Sequence, residues 1–291
     1  MNKKRNPLKA SALALVPGFG QLYNGNITKV GVFLAIDIFI PIIIGILGLL
    51  KNFEGLILIF LFSISFIIYR VVDAYRTAKR QENYELKKYN SWFIYLAYFV
   101  AFMIFRIFVD LPVSTGIQTF HIPTPSMYPT IQPGDRIVTD INIYNKHSPK
   151  RGDIVIFNSP QGGIWTFRVV GLPNEYIEVK EGKVYINDEV CNLRQLDTLL
   201  VDDIQATLFS ENLKDKNIST LRYNQAPYLD TKTFEKIQIP ENEYFLMGDN
   251  RDNALDSRYI GTIPQEDILG QVIYSYWGKT SERVNIDLRV R

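Results

Sequence analysis

Ser126 sits in the run Ile122-Pro123-Thr124-Pro125-Ser126-Met127-Tyr128-Pro129-Thr130. Prolines on either side restrict the local backbone. A loop stiffened this way holds a hydroxyl and a neighbouring N–H at a set angle, as a serine nucleophile with an oxyanion hole requires. Alone, a serine among prolines is most often a turn residue. A second run is Phe167-Arg168-Val169-Val170-Gly171-Leu172-Pro173-Asn174-Glu175. A third is Met247-Gly248-Asp249-Asn250-Arg251-Asp252-Asn253-Ala254-Leu255-Asp256-Ser257-Arg258-Tyr259-Ile260-Gly261. Its density of Asp, Asn and Arg suits a loop held by side-chain hydrogen bonds and Arg–Asp pairs, with Asp256 and Arg258 one such pair. By composition alone it is a solvated polar loop. His121 and His147 have no His/Cys cluster beside them, and Cys191 is the single cysteine. No metal or other cofactor and no intramolecular disulfide is expected, although carboxylate sites stay open.

The elements that must position these runs divide the chain in two. Of 291 residues, 47% are hydrophobic and 21% charged, which excludes a disordered chain and a pure membrane bundle. The net charge of +2 argues against a nucleic-acid partner. Val30–Leu50 is long enough to cross a bilayer core of ~30 Å. It carries one acid, Asp37, read as a helix-packing or anchor feature. Leu56–Tyr69 is a second span and reaches Val72 if Arg70 snorkels to the headgroups. Ser91–Val109 is a third, with Trp92, Tyr95 and Tyr98 suited to an aromatic belt. Ala10–Tyr23 is apolar but broken by Pro17-Gly18-Phe19-Gly20 and is read as short, interfacial or re-entrant. No segment reads as a cleavable signal peptide, since the first strong span comes late and is followed by others. Lys3, Lys4, Arg5 and Lys9, and then Arg70, Arg76, Lys79, Arg80, Lys87 and Lys88, put the N-terminus and the loop near 70–90 in the cytoplasm. Three spans then place the rest of the chain outside. Residues 1–80, with the Pro17–Gly25 run and Asp73-Ala74-Tyr75-Arg76, also resemble small two-span modules of bacterial membrane proteins.

From Ser114 the pattern becomes all-β. Arg136–Asp140, Asp153–Phe157, Thr166–Val170, Tyr176–Lys180, Lys183–Asn187 and Tyr244–Met247 read as strands, with a tight hairpin at Lys180–Lys183. Tyr274–Trp277 reads as a core strand. The polar stretch 192–238 reads as an insertion with some helix, for example Leu193–Leu200. The expected domains are a two-span membrane module with its cytoplasmic loop (1–90), a third anchor (91–112) and a β-rich domain (113–291).

Taken jointly and in order, the three runs resemble type I signal peptidase, the membrane-anchored serine protease that removes signal peptides from exported proteins. Pro133-Gly134-Asp135 and Arg151-Gly152-Asp153-Ile154-Val155 add to the resemblance, which covers roughly residues 92 to 280. It implies transmembrane helices followed by an all-β catalytic domain of that type. Ser126 becomes the nucleophile, and its N–H with the Thr124 hydroxyl becomes the oxyanion hole. Asp256 and Arg258 take a supporting, structural role. The implied partners are signal peptides of exported preproteins, membrane lipid and the secretion machinery. The implied location is the bacterial cytoplasmic membrane, multi-pass, with the C-terminal domain on the extracytoplasmic side.

The chain departs from that family at two positions. The family's general base is a buried, uncharged lysine directly before the arginine of the second run, and here that residue is Phe167. The serine that orients the lysine corresponds to Ala254. Phenylalanine accepts no proton, and general-base help is worth roughly 10²–10⁴-fold. Two hypotheses follow: an active endopeptidase cutting after small residues in an extended substrate, or a relative that binds exported or membrane proteins without cutting. A base from elsewhere, such as His121, or from a partner protein would rescue the first.

Overall fold

The computed structural model describes residues 2–108, 115–201, 203–214, 216–225 and 233–289. The chain divides into two compact units, Met1–Gly116 and Ile117–Arg291.

The first unit contains β1 (Asn2–Lys3), α1 (Pro7–Leu13), α2 (Phe19–Tyr23), α3 (Ile27–Ile46), α4 (Phe53–Arg80), β2 (Tyr84–Glu85) and α5 (Trp92–Phe108). α3 and α4 are long and apolar enough to cross a membrane. α5 is apolar over Trp92–Ile104, and the end expected for the third span, at 109, lies outside the described residues. The broken segment Ala10–Tyr23 folds as the rest of α1 and as α2, parted at Pro17-Gly18. Asn6 caps α1, its Oδ1 accepting from the N–H groups of Leu8 and Lys9 at 2.9 and 3.1 Å. Ala10, Ala14, Ala74 and Ala78 form a buried cluster of small side chains between α1 and α4. Gly20 is required there, since a Cβ would lie 2.6 Å from Ala10 O and 2.9 Å from Ala74 Cβ. Gln21 and Asn24 donate to the carbonyls of Arg70 and Ala74 at 3.1 and 2.8 Å. The two runs that marked this region in the sequence are therefore the two sides of one packed contact.

One expectation fails here. Arg70 does not snorkel: it is buried and donates from Nη1 to Asp37 Oδ2 at 2.6 Å. An acid on an apolar helix is costly unless paired, and an arginine on the neighbouring helix meets that need. Lys29 pairs with Asp73 in the same way. α4 continues as helix to Arg80.

The second unit is β-rich. Its strands are β3 (Ile117–His121), β4 (Arg136–Asp140), β5 (Ile154–Asn158), β6 (Ile164–Gly171), β7 (Tyr176–Lys180), β8 (Lys183–Ile186), β9 (Glu189–Val190), β10 (Leu193–Val201), β11 (Ile204–Leu213), β12 (Lys216–Tyr223), β13 (Phe234–Gln238), β14 (Glu243–Met247), β15 (Ile263–Pro264), β16 (Ile268–Trp277) and β17 (Ile286–Asp287). A four-residue helix, α6 (Ser257–Ile260), lies between β14 and β15. The main sheet runs β15-β14-β6-β5-β16-β4-β3, with β17 on β16. A second sheet is β13-β7-β8-β9 and a third is β10-β11-β12. The strands read from the sequence are present within a residue or two, except that the one read at Tyr274–Trp277 is the end of the longer β16, which begins at Ile268; Lys180 faces Lys183 across the hairpin. Val155, Ile156, Phe157, Phe167, Val169 and Leu246 lie in the principal core; consecutive residues of β5 enter it, since that strand is buried on both faces.

The helix expected at Leu193–Leu200 is instead β10. Leu193, Leu196 and Leu199 recur at a helical spacing. Their register against β11 slips between Gln195 and Asp197, so a bulge changes the phase of the strand and accounts for the spacing. The later part of the expected insertion, β13, belongs to the second sheet through its pairing with β7.

Candidate active site

Ser126 lies in the loop between β3 and β4, on a cleft of about 410 Å³. Thr124, His121, Met127, Trp165, Phe167 and Leu255 also line it. Met127 is almost fully buried in the principal core and edges the cleft from there. Ser126 is half-buried and Thr124 exposed, so the cleft opens to solvent on the threonine side.

Backbone bonds hold the serine. The Tyr128 N–H donates to Pro125 O at 2.9 Å and the Ile131 N–H to Met127 O at 2.9 Å. The third run closes over the loop: the Asn250 N–H donates to Ser126 O at 3.1 Å, and Asn250 Nδ2 to Pro125 O at 3.2 Å. Gly248 allows this approach, since a Cβ there would lie 2.5 Å from Ser126 O and 2.4 Å from Ala254 Cβ. The same point is 3.4 Å from Phe167 Cε1. Ser126, Phe167 and Ala254, 128 positions apart at the extremes, thus close on one spot.

That spot is apolar. Phe167 is 3% exposed and sits between the rings of Phe157 and Trp165, at centroid distances of 5.7 and 6.1 Å. Ala254 is 1% exposed. A lysine at position 167 would be desolvated, the condition that lowers an ammonium pKa toward neutrality. Among the described residues lining the cleft, His121 is the one titratable side chain. It ends β3 and is exposed. A lysine whose pKa burial does lower is Lys216, but its ammonium is held by Gly152 O and Arg289 O at 3.3 and 2.8 Å and does not line the cleft.

The second and third runs are locked together beneath the cleft. Arg168, fully buried, donates from Nε and Nη2 to Asp249 at 2.8 and 2.7 Å and from Nη1 to Gly152 O at 2.8 Å. Asp256 accepts from Arg258 Nε and Nη2, both at 2.8 Å, and from the Gly248 N–H at 3.0 Å. Arg251 pairs with Glu211 of β11, both buried. The composition of the third run had pointed to a solvated loop; Asp249, Asn250 and Arg251 are instead completely buried, each with specific partners. Sequence reasoning did not find Asn250 and Glu211 as parts of this network. Glu211 carries no signal in its own segment, and its partner is 40 residues away.

Residues 93–277 match the family described as signal peptidase, peptidase S26. The chain belongs to this family. A signal peptidase I of Buchnera aphidicola subsp. Schizaphis graminum is 31% identical over 230 residues, spanning 61% of this chain and 71% of that one. A probable signal peptidase I-2 of Synechocystis is 29% identical over 174 residues, spanning 56% and 66% respectively. A crystal structure of a signal peptidase I from Enterococcus faecalis matches at 25% identity and a TM-score of 0.27, over 43% of this chain and 97% of that one. In this member of the signal peptidase family the cleft sets the Ser126 hydroxyl in a lining that includes the apolar Phe167.

Proposed function

We propose that this protein is a signal peptidase I-type, membrane-anchored serine endopeptidase that removes signal peptides from exported preproteins. The observation carrying this reading is the placement of Ser126 and Thr124 on one cleft, in a loop clamped by the third run. In this reading Ser126 Oγ attacks the scissile carbonyl, its proton passes by way of a base other than residue 167 to the leaving amine, and water then releases the acyl group from the serine. The Ser126 N–H and Thr124 hydroxyl stabilise the oxyanion, and Asp256 with Arg258 holds the Gly248 turn against the serine. No metal or other cofactor enters these roles. The module 1–90 and the segment 91–112 anchor the domain 113–291 to a bacterial cytoplasmic membrane in several passes, with that domain on the extracytoplasmic side. The distribution of Lys and Arg supports this orientation. Lipid and the secretion machinery are its surroundings.

A second reading is favoured by Phe167 and Ala254: a relative that binds the signal-peptide region and does not cut it. The two readings separate in one experiment. Full-length protein in detergent is incubated with a model preprotein, wild type beside Ser126→Ala. Cleavage at a small-x-small site that the alanine variant loses supports the endopeptidase and requires a base other than the lysine. Binding of the preprotein without cleavage supports the second reading. Neither binding nor cleavage by folded protein overturns both.

A further inference from the structure

We infer that Asn250 and Tyr223 are positioning residues for the Ser126 N–H, so that the strand hairpin β11–β12 is a working part of the site. This deepens the reading above and rests on Ser126 being the reacting residue.

The Ser126 N–H belongs to the Pro125–Ser126 peptide plane. In a trans peptide the carbonyl and the N–H point in opposite directions, so whatever fixes Pro125 O also aims the Ser126 N–H. Pro125 O accepts from the Tyr128 N–H within the loop at 2.9 Å and, from outside it, from Asn250 Nδ2 at 3.2 Å; the Asn250 backbone N–H holds the next carbonyl, Ser126 O, at 3.1 Å. One residue therefore grips both peptide planes that flank the serine. The carboxamide is itself oriented: Nδ2 also donates to the Tyr223 hydroxyl at 3.3 Å. Rotating the amide by half a turn would set Oδ1 against Pro125 O, oxygen against oxygen, and lose that bond, so the carbonyl selects the flip while the Tyr223 hydroxyl, which can donate or accept, holds the carboxamide in place.

Tyr223 ends β12, and the backbone there is tied to the same loop. The Leu221 N–H donates to Asp249 O at 2.8 Å, the Arg251 N–H to Leu221 O at 3.0 Å, and the Tyr223 N–H to Asp252 Oδ2 at 2.9 Å. Beneath them, Arg251 Nη1 meets Glu211 Oε1 of β11 at 3.0 Å, out of solvent. Tyr128, two residues past the serine, packs against the cluster of Val201, Ala206 and Leu221 on the same hairpin sheet. The hairpin thus holds the 249–252 loop, and that loop holds the serine.

The test compares full-length wild type, Tyr223→Phe and Asn250→Asp in detergent. Tyr223→Phe removes one hydroxyl and keeps the packed ring. Asn250→Asp keeps the shape and removes the donor. Hydrogen exchange over residues 122–131 is measured beside exchange over β11. Preprotein cleavage is measured in whichever of wild type or Phe167→Lys/Ala254→Ser cuts. Loss of one neutral hydrogen bond should speed exchange in 122–131 and lower kcat by about fivefold in Tyr223→Phe, with KM and β11 exchange unchanged. Asn250→Asp should exceed it. Unchanged exchange over 122–131 in both variants overturns the inference, as does a loss of protection spread equally over β11. If neither background cuts, the endopeptidase reading falls, and the exchange result alone still decides the positioning role.

Discussion

Arg168 Nε and Nη2 donate to the two carboxylate oxygens of Asp249 at 2.8 and 2.7 Å, and neither residue is accessible to solvent. This pair joins β6 to the turn after β14, one residue beyond Phe167 and one beyond Gly248. It therefore sets the distance between the wall of the cleft and the loop that carries Ala254. Removing one partner strands a buried charge, which costs about 3–5 kcal/mol. Asp249→Ala should lower stability by that amount in chemical denaturation of the full chain. The double variant Arg168→Met/Asp249→Leu should recover a large part of it. Equal losses in the single and double variants would show that the pair contributes nothing beyond its separate side chains.

Phe167 and Ala254 meet at Gly248, beside the carbonyl of Ser126. A lysine at 167 would place its ammonium among Phe157, Trp165 and Ala254, where burial favours the neutral amine. Phe167→Lys with Ala254→Ser should raise preprotein cleavage by roughly 10²–10⁴-fold. Activity should climb as pH rises through the lowered lysine pKa, since only the neutral amine accepts a proton. The same burial makes the sign of the stability effect explicit. The unfolded lysine binds its proton up to a higher pH than the folded one, so the fold of the double variant should gain stability as pH rises. A folded double variant no more active than its parent would sink this account of the site.

Much of the β-domain was readable because its strands are short runs rich in Val, Ile, Tyr and Phe and its turns carry Gly, Asn and Asp at the expected places. The hairpin at Lys180–Lys183 has Glu181 and Gly182 at positive φ, the conformation its turn requires. β10 was not readable, because a bulge at Leu196 gave a strand the apolar spacing of a helix. The convergence of Ser126, Phe167 and Ala254 came from a resemblance to a family, since nothing local in those residues records distances across the fold. The burial of the third run was hidden for the same reason. Its Asp, Asn and Arg side chains read as solvent-loving until Arg168, Glu211 and Pro125 are brought to them from far along the chain.

Asp37 and Arg70 carry a similar consequence in the first unit, between α3 and α4. Arg70 Nη1 meets Asp37 Oδ2 at 2.6 Å, with the arginine buried. Asp37→Asn leaves that cation with a neutral partner on an apolar helix. The expected result is a lower melting temperature of the full chain in detergent and faster proteolysis between α3 and α4. Asp37→Asn combined with Arg70→Gln should restore part of the loss. A melting temperature equal to wild type in the single variant would mean the pair is not needed to hold α3 on α4.

Cys191 provides a pH-dependent probe of the second core. It is buried with Val184, Leu213 and Phe245, and burial, reinforced by the charge of Glu211, pushes its thiol up to about 12. Below pH 9 the folded chain should react with a maleimide only as fast as it opens, because the thiolate is the nucleophile and the sulfur is covered. Unfolding in denaturant should release the full rate. The sign for stability follows from the raised value. An unfolded thiol ionises near the ordinary 9.0 and the folded one does not, so the contribution is complete below that pH and declines as pH rises toward 12. Cys191→Ala should flatten that alkaline decline in denaturation curves taken at successive pH values. Rapid labelling of folded wild type at pH 8, with β-sheet circular dichroism intact, would contradict the packing of Cys191 in that core.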